Sequence, residues 1–274
     1  MRDLDIRRAW VVCRTDLRQL AQSPDFWVPM VILAAFFFVV APAVLLLGIT
    51  HLGATGSVSK VAAAIDLLPA SAKNAVKGAN PIDRTSYALA VYLFAPLAVI
   101  VPMTISTAVG ANCLVGEREK GTGEFLAHCP ASERELYLGK LVASLVPGYA
   151  TTLVGFAVYS LLVNTIVGPR VGGWFFPTGD WWLLMFWVVP PFLALTLSVV
   201  LRMSARVKSA AAAQQASGLV TLPLIMLSYA QSSGAVFGTA RQGIILGIVA
   251  WIGAIYGLAR GSKAVSRARL LGAE

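Results

Sequence analysis

The sequence predicts an all-α integral membrane protein, and three observations support this fold class. Hydrophobic residues make up 57% of the 274 residues and charged residues only 13%, against about a quarter charged in an average soluble domain. The mean hydropathy is +0.74. Six stretches without a charged residue are each long enough to cross a bilayer, and a helix satisfies its own backbone groups in lipid.

Six transmembrane helices follow from these uncharged stretches. The stretches cover residues 26–59, 85–116, 141–169, 181–201, 209–240 and 242–259. A crossing helix needs about 17 to 25 residues. We therefore place the spans at about 27–49, 87–111, 141–165, 181–201, 210–229 and 243–260. Residues 1–274 then form a single transmembrane domain.

Lysine and arginine are distributed unevenly between the two sides of this arrangement. With both termini in the cytoplasm, 16 of the 22 basic residues lie inside and six lie outside. Positive residues near helix ends favour the cytoplasmic side, so we expect cytoplasmic termini. Because the basic residues are spread over four inner segments among acidic ones, their excess indicates topology, and nucleic-acid binding is not expected.

The N-terminal segment 1–25 predicts an amphipathic helix on the inner membrane surface. Its apolar residues recur at helical spacing and are Ile6, Trp10, Cys13, Leu17 and Leu20. Arginines on the other faces are suited to anionic lipid headgroups. The alternative is a soluble helix packed on the protein's own loops.

The segment 50–86 is the largest external piece. Residues 58–76 show weak helical periodicity. This pattern predicts a short helical cap on the outer membrane face, because so short a segment is not expected to fold as an independent domain. It contains no catalytic grouping.

Charge is concentrated between the second and third spans. Residues 117–140 hold nine of the chain's 35 formal charges, which are 22 basic and 13 acidic. Residues 117–126 predict a polar continuation of the second span, which a bend at Gly121 lays along the membrane. Pro130 ends that helix, and Ser132 caps a new one. We therefore predict that residues 117–140 form a rigid lever of short helices. The alternative is a solvated loop.

The last two spans carry less specific signals. The fifth uncharged stretch is longer than one crossing, and residues 228–243 fit a re-entrant element covered by protein. Glycines of the last span recur at four-residue intervals and are Gly243 and Gly247, then Gly253, Gly257 and Gly261. Such spacing allows close helix approach, and packing within one subunit fits it as well as packing between subunits.

The sequence lacks the motifs of catalysis. The phosphate-binding pattern G-x-x-x-x-G-K-[ST] does not occur. The two histidines, His51 and His128, are predicted on opposite membrane faces, so we expect no metal site. Apart from Arg260 at the end of the last span, no acidic or basic residue falls in a predicted span to relay protons, and the three cysteines fall on the reducing side. We predict no catalytic residue, and an intramembrane enzyme is disfavoured.

Uncharged polar residues inside the predicted spans could line a cavity for an amphipathic substrate. The candidates are Thr104, Thr107, Thr151, Gln214, Gln215 and Thr221. Each could equally make a helix-helix hydrogen bond, which is the more ordinary role for a single polar residue.

One pattern in the charged stretch carries a family resemblance. It runs Glu-x-Glu-x-Gly-Thr, an acidic residue, Pro-x-Ser and an apolar-Gly-Lys ending. The matching residues are Glu117, Glu119, Gly121, Thr122, Glu124, Pro130, Ser132, Gly139 and Lys140. The stretch resembles the permease subunits of ABC transporters of the type-2 exporter family, although Gly123 stands where a leucine is usual. The resemblance extends more loosely to the whole chain.

The resemblance implies a half-transporter without a nucleotide-binding domain of its own. Two permeases, identical or related, would pair in the bilayer with two cytoplasmic ATPase subunits, which would bind ATP and Mg²⁺. No cofactor is expected on this chain. The loop 115–138 would contain the coupling helix, and the expected contacts with the ATPase are Glu117, Arg118, Glu119, Lys120, Gly121, Thr122 and Glu124.

Export of an apolar or amphipathic compound is the function that the resemblance implies. The expected location is a bacterial cytoplasmic membrane. A non-transporting membrane scaffold or assembly factor is the alternative.

Overall fold

The protein is helical throughout the part of the chain that the structure describes. The computed structural model describes residues 5–52, 65, 70–207, 209, 211–219, 222 and 240–261. These residues contain no β-strand, which confirms the all-α prediction. The helices are α1 (Ile6–Gln22), α2 (Pro24–Ala35), α3 (Ala41–Leu52), α4 (Ala70–Ala75), α5 (Pro81–Ala88), α6 (Leu97–Glu119), α7 (Gly123–His128), α8 (Glu133–Ile166), α9 (Gly168–Val171), α10 (Gly179–Leu183), α11 (Val189–Ser204) and α12 (Ala240–Gly261). Residues 211–219 are also helical.

Five helical stretches among the described residues are long and apolar enough to cross a membrane. They are Pro24–His51, Pro81–Glu117, Glu133–Ile166, Gly179–Ser204 and Gly243–Gly261. They coincide with five of the predicted spans. The other predicted span, at 210–229, lies largely outside the described residues, as does most of the predicted element at 228–243.

Three of these stretches contain a π-helical turn followed closely by a proline. The turns are Phe36–Val40, Leu89–Leu93 and Leu184–Val188, and the prolines are Pro42, Pro96 and Pro190. Such turns leave carbonyl groups without regular helical partners. The Tyr159 hydroxyl donates to the Ala90 carbonyl at 2.6 Å, and the Trp181 indole donates to the Val91 carbonyl at 2.8 Å. Aromatic donors from other spans therefore stabilise the irregular turn in the second span.

The second and fourth stretches form the centre of the helix bundle, and the first and last are the most exposed. Helix α6 packs against α8 and α11, α12 packs on α11, and α1 lies along α8. The largest apolar cluster fills the space between the spans and includes Phe38, Met103, Tyr159, Met185 and Leu193.

Polar contacts join the spans at the end of the bundle opposite α1. Asn164 donates to the Phe176 carbonyl at 2.6 Å and accepts from the Phe176 N–H at 3.1 Å. Arg170 donates to the Thr50 carbonyl at 2.7 Å and lies 3.8 Å from the buried Asp83 carboxylate. This end is therefore held by hydrogen bonds and one ion pair.

The external segment 50–86 is described only in part. Helix α4 and the start of α5 belong to it, and Val76 between them is buried against the main apolar cluster. Residues 53–64 and 66–69 lie outside the described part of the chain.

The glycines of the last span face helices of their own subunit. Gly243 lies against Leu183, Gly247 against Trp187, Gly253 against Leu195, Gly257 against Ser198 and Gly261 against Tyr137. Of the two alternatives that fit the glycine spacing, the structure thus shows packing within one subunit. The opposite face of α12 exposes Ile248, Ile252 and Ile255.

Candidate coupling site

Helix α6 ends in a left-handed turn at Gly121. The φ angle of Gly121 is +71°, which glycine adopts without a Cβ clash. The Thr122 N–H donates to the Glu117 carbonyl at 2.9 Å, and the Thr122 hydroxyl donates to the same carbonyl at 3.1 Å and to the Glu117 carboxylate. The backbone bond is the six-to-one bond of a Schellman-type helix end. The spacing of Glu117, Gly121 and Thr122 therefore turns the chain out of the second span.

The short helix α7 follows this turn and presents an apolar side chain to the surroundings. Phe125 is 80% exposed. Its neighbour Glu124 is exposed as well. An aromatic ring with so large an exposed fraction is suited to anchor a protein partner.

Ser132 and Glu135 begin α8 with a capping box. The Ser132 hydroxyl accepts from the Glu135 N–H at 3.3 Å, and the Glu135 carboxylate accepts from the Ser132 N–H at 2.7 Å. This confirms the prediction that Ser132 caps a helix. The same carboxylate accepts from the Asp5 N–H at 2.9 Å. Glu135 thereby joins the start of α1 to the start of α8.

Lys140 lies at the centre of an ion cluster that joins three helices. Its Nζ lies 3.1 Å from Asp16 Oδ2 on α1 and 3.1 Å from Glu117 Oε1 on α6. The exposed fractions of the side chains are 2% for Lys140, 14% for Asp16 and 20% for Glu117. We call these three residues the Lys140 cluster.

Burial makes the Lys140 cluster sensitive to the loss of any member. Burial raises the pKa of Asp16 above its usual value, and the Lys140 ammonium opposes that rise. Removing one partner from a buried ion pair leaves an uncompensated charge, which typically costs about 3–5 kcal/mol. The cluster therefore fixes the position of α1 relative to the end of α6.

Gly139 allows α1 to approach α8 closely beside this cluster. A Cβ atom on Gly139 would lie 2.7 Å from the Ala9 carbonyl oxygen and 2.8 Å from Val12 Cβ. Cys13 follows Val12 on α1 and is buried to 1% exposure. The Gly-Lys pair of the sequence motif thus has two separate roles, close contact and ion pairing.

Helix α1 also retains an exposed apolar face. Ile6 is 75% exposed, Trp10 57% and Val11 63%. One side of α1 therefore packs on helix α8, whereas the alternative placed α1 on loops of the protein. Another side remains apolar and exposed, as an interfacial helix requires.

The comparison with known families agrees with this architecture. A family model described as "ABC-2 family transporter protein" matches residues 10–241. This match covers most of α1, the turn after α6 and the start of α12. The chain belongs to the ABC-2 transporter family. Members of the family form the membrane permease of an ABC transporter and not its ATPase. Among curated proteins, no relative of this permease was found.

The structure divides the predicted ATPase contacts of the ABC-2 permease into two groups. Glu117 points inward to Lys140. The exposed residues are Glu119, Lys120, Gly121, Thr122 and Glu124. The side chain of Arg118 lies outside the described part.

The predicted cavity residues of the permease differ in exposure among the described residues. Thr107 is buried and donates to the Met103 carbonyl of its own helix at 2.7 Å. Thr104 is exposed on α6 and Thr151 is half-buried on α8, whereas Gln214 and Gln215 are exposed on the helical residues 211–219. Thr221 lies outside the described residues.

Sequence reasoning did not identify the roles of Asp16 and Phe125. Asp16 is separated from Lys140 by 124 residues, and only the docking of α1 brings the two together. Phe125 is one of several apolar residues between Glu124 and Pro130, and the sequence does not distinguish it from the others. Within the described residues, no group of three or more histidine, cysteine, aspartate or glutamate side chains could hold a metal ion.

Proposed function

We propose that this ABC-2 permease is the membrane subunit of an ATP-driven exporter of an apolar or amphipathic compound. A separate cytoplasmic ATPase subunit binds ATP and Mg²⁺, and a second permease, identical or related, completes the path through the bacterial cytoplasmic membrane. Six spans and two cytoplasmic termini are part of this proposal. The observation that carries it is the Lys140 cluster, which connects the segment 115–138 to α1, α6 and α8.

The segment 115–138 transmits motion of the ATPase to the spans. Helix α7 docks on the ATPase through Phe125, with Glu119, Lys120 and Glu124 around it as a polar rim. Glu117 acts from inside, where it holds the turn through Thr122 and the third span through Lys140. Movement of α7 therefore displaces α6 and α8 together as rigid elements.

Helix α1 holds this assembly at the membrane surface. Its exposed residues Ile6, Trp10 and Val11 enter the headgroup layer, and its arginines contact anionic lipid. Because Asp16 binds Lys140 on the opposite side, α1 moves with the coupling segment.

The substrate path runs beside the exposed face of α6. Thr104 is exposed on this helix, although most of the second span is buried. Exposed polar groups at membrane depth are costly against lipid tails. The exposure of Thr104 supports a cavity between two permeases, where its hydroxyl can contact an amphipathic substrate.

Purification from the native membrane tests the ATPase partnership. We expect an ATPase subunit to copurify with the wild-type permease and its ATPase activity to fall several-fold with Phe125→Ala. The matched control is Trp174→Ala, because Trp174 is an aromatic residue with 68% exposure outside the coupling segment.

Two results contradict the proposal. If no ATPase copurifies, coupling to ATP hydrolysis is excluded. If a partner binds the segment 115–138 but its ATPase activity is unaffected by the permease and by Phe125→Ala, the scaffold function replaces the exporter function.

A further inference from the structure

A cavity of about 530 Å³ lies between α1, the start of α2 and the end of α6. Small-molecule sites commonly have volumes of about 300–1,000 Å³. The cavity lies where α1 meets the first span. A compound partitioned into the membrane surface can reach this point without crossing the hydrocarbon core.

Negative charge predominates in the lining of the cavity. Its charged residues are Asp16, Asp25, Glu117, Glu119, Lys120 and Lys140. The four carboxylates and two ammonium groups sum to −2, in a chain whose net charge is +9. The Lys140 ammonium is already neutralised by Asp16 and Glu117. The net negative charge of the lining favours a cationic ligand over an anionic one.

The cavity also has an apolar wall. Leu20 and Phe26 are half-buried and Val109 is buried, and all three line the cavity. Asn112 adds a carboxamide, whose amide group donates to the Ala108 carbonyl at 3.0 Å. An apolar wall beside an acidic rim is complementary to a molecule with an apolar body and a positive group.

We propose that this cavity binds amphipathic monocations taken from the inner leaflet. The proposal rests on the exporter function and names its substrate class. The ligand's apolar body contacts Phe26, Leu20 and Val109, and its positive group lies near Asp25. Because Asp16 and Glu117 form the cavity wall and also hold Lys140, an occupied cavity is in direct contact with the residues that position the coupling segment.

Two ions of nearly the same shape and opposite charge test the proposal. Tetraphenylphosphonium and tetraphenylborate are titrated against the full-length permease in lipid nanodiscs without its ATPase, and binding to empty nanodiscs is subtracted. We expect saturable binding of tetraphenylphosphonium alone. Asp25→Asn should weaken this binding about tenfold, which corresponds to about 1.4 kcal/mol.

Two further variants separate the cavity from general charge effects. Asn112→Phe fills the cavity from an exposed position of α6 and should abolish saturable binding while leaving the protein folded. Asp180→Asn removes an exposed carboxylate outside the cavity and should leave the affinity unchanged. Competition by dodecyltrimethylammonium added from water, or by a cationic lipid placed in the nanodisc, would assign the natural ligand to a soluble compound or to a lipid.

Equal binding of both ions, or an affinity unaffected by Asp25→Asn and Asn112→Phe, would overturn the proposal. Because the ATPase is absent from this experiment, such a result would not contradict the exporter function, which the copurification experiment tests. Conversely, failure to copurify an ATPase would exclude coupled export even if the cavity bound cations.

Discussion

At the residue scale, the contacts of Lys140 explain why this chain has a lysine at the predicted membrane boundary. A positive residue there is ordinarily interpreted as an anchor in the headgroup layer. In the structure its Nζ is almost fully enclosed and contacts carboxylates on two other helices. Two carboxylates around one ammonium offset part of its desolvation cost. Lys140 thus serves to hold α1, α6 and α8 together.

Replacement of Lys140 by methionine should destabilise the protein by about 3–5 kcal/mol, because Asp16 and Glu117 would remain buried without a cation. The measurement is the unfolding midpoint in detergent, followed by the fluorescence of the seven tryptophans. Lys77→Met, at an exposed lysine outside the cluster, is the matched control. The triple variant Lys140→Met, Asp16→Asn and Glu117→Gln should recover part of the loss. Equal midpoints for Lys140→Met and Lys77→Met would show that the cluster does not stabilise the fold.

At the element scale, α1 and α8 form the contact that links the N-terminal helix to the coupling segment. The Glu135 carboxylate binds the start of α1. Gly139 allows the backbones of α1 and α8 to approach each other. Lys140 binds Asp16, which lies closer to the C-terminal end of α1. The three contacts lie within two turns of α8. A change at the central contact should therefore separate the helices without affecting the membrane spans.

Gly139→Ala should partly detach α1 from α8, because the added Cβ would meet the Ala9 carbonyl oxygen at 2.7 Å. We expect a cost of about 1–3 kcal/mol, which is typical of overpacking. The readout is the rate at which maleimide modifies Cys13, measured by mass spectrometry of its peptide, since Cys13 follows Val12 on α1 and is buried. Gly48→Ala is the control, because nothing lies within 4 Å of a Cβ at that position. A Cys13 rate equal to that of the control would contradict the proposed docking.

At the scale of the whole molecule, the last span belongs to the bundle of its own subunit. Its glycine face is turned to the fourth span, and Arg202 of that span donates to the Gly257 carbonyl at 3.2 Å. The exposed face of α12 is rich in isoleucine and valine. Association of two permeases is therefore expected to be independent of the glycine spacing.

A comparison of two glycines tests this arrangement. Gly257→Ala should lower the unfolding midpoint, because its Cβ would lie 2.5 Å from Ser198 Oγ, which is itself hydrogen-bonded to the Leu195 carbonyl. Gly253→Ala should be tolerated, since the nearest atom, Leu195 Cδ2, would lie at 3.4 Å. The expected difference is about 1–3 kcal/mol. If Gly257→Ala instead weakened chemical cross-linking between permeases and left the midpoint unchanged, the glycines would face a second subunit.

The sequence by itself determined the properties that depend on local chemistry. The five long uncharged stretches that the structure describes became helices because lipid offers the backbone no other partners. Gly121 and Ser132 were identified as a turn and a cap because left-handed geometry and capping depend on residues only a few positions away.

The tertiary structure alone decided which distant groups meet. Asp16 and Lys140 are 124 residues apart, and no periodicity relates them, because their contact depends on how α1 lies across α8. The same holds for the glycines of the last span, whose spacing allows close packing but does not select the partner. The exposure of Phe125 could not be predicted for the same reason. The burial of an apolar residue depends on whether another element covers it, and none of the described elements covers Phe125.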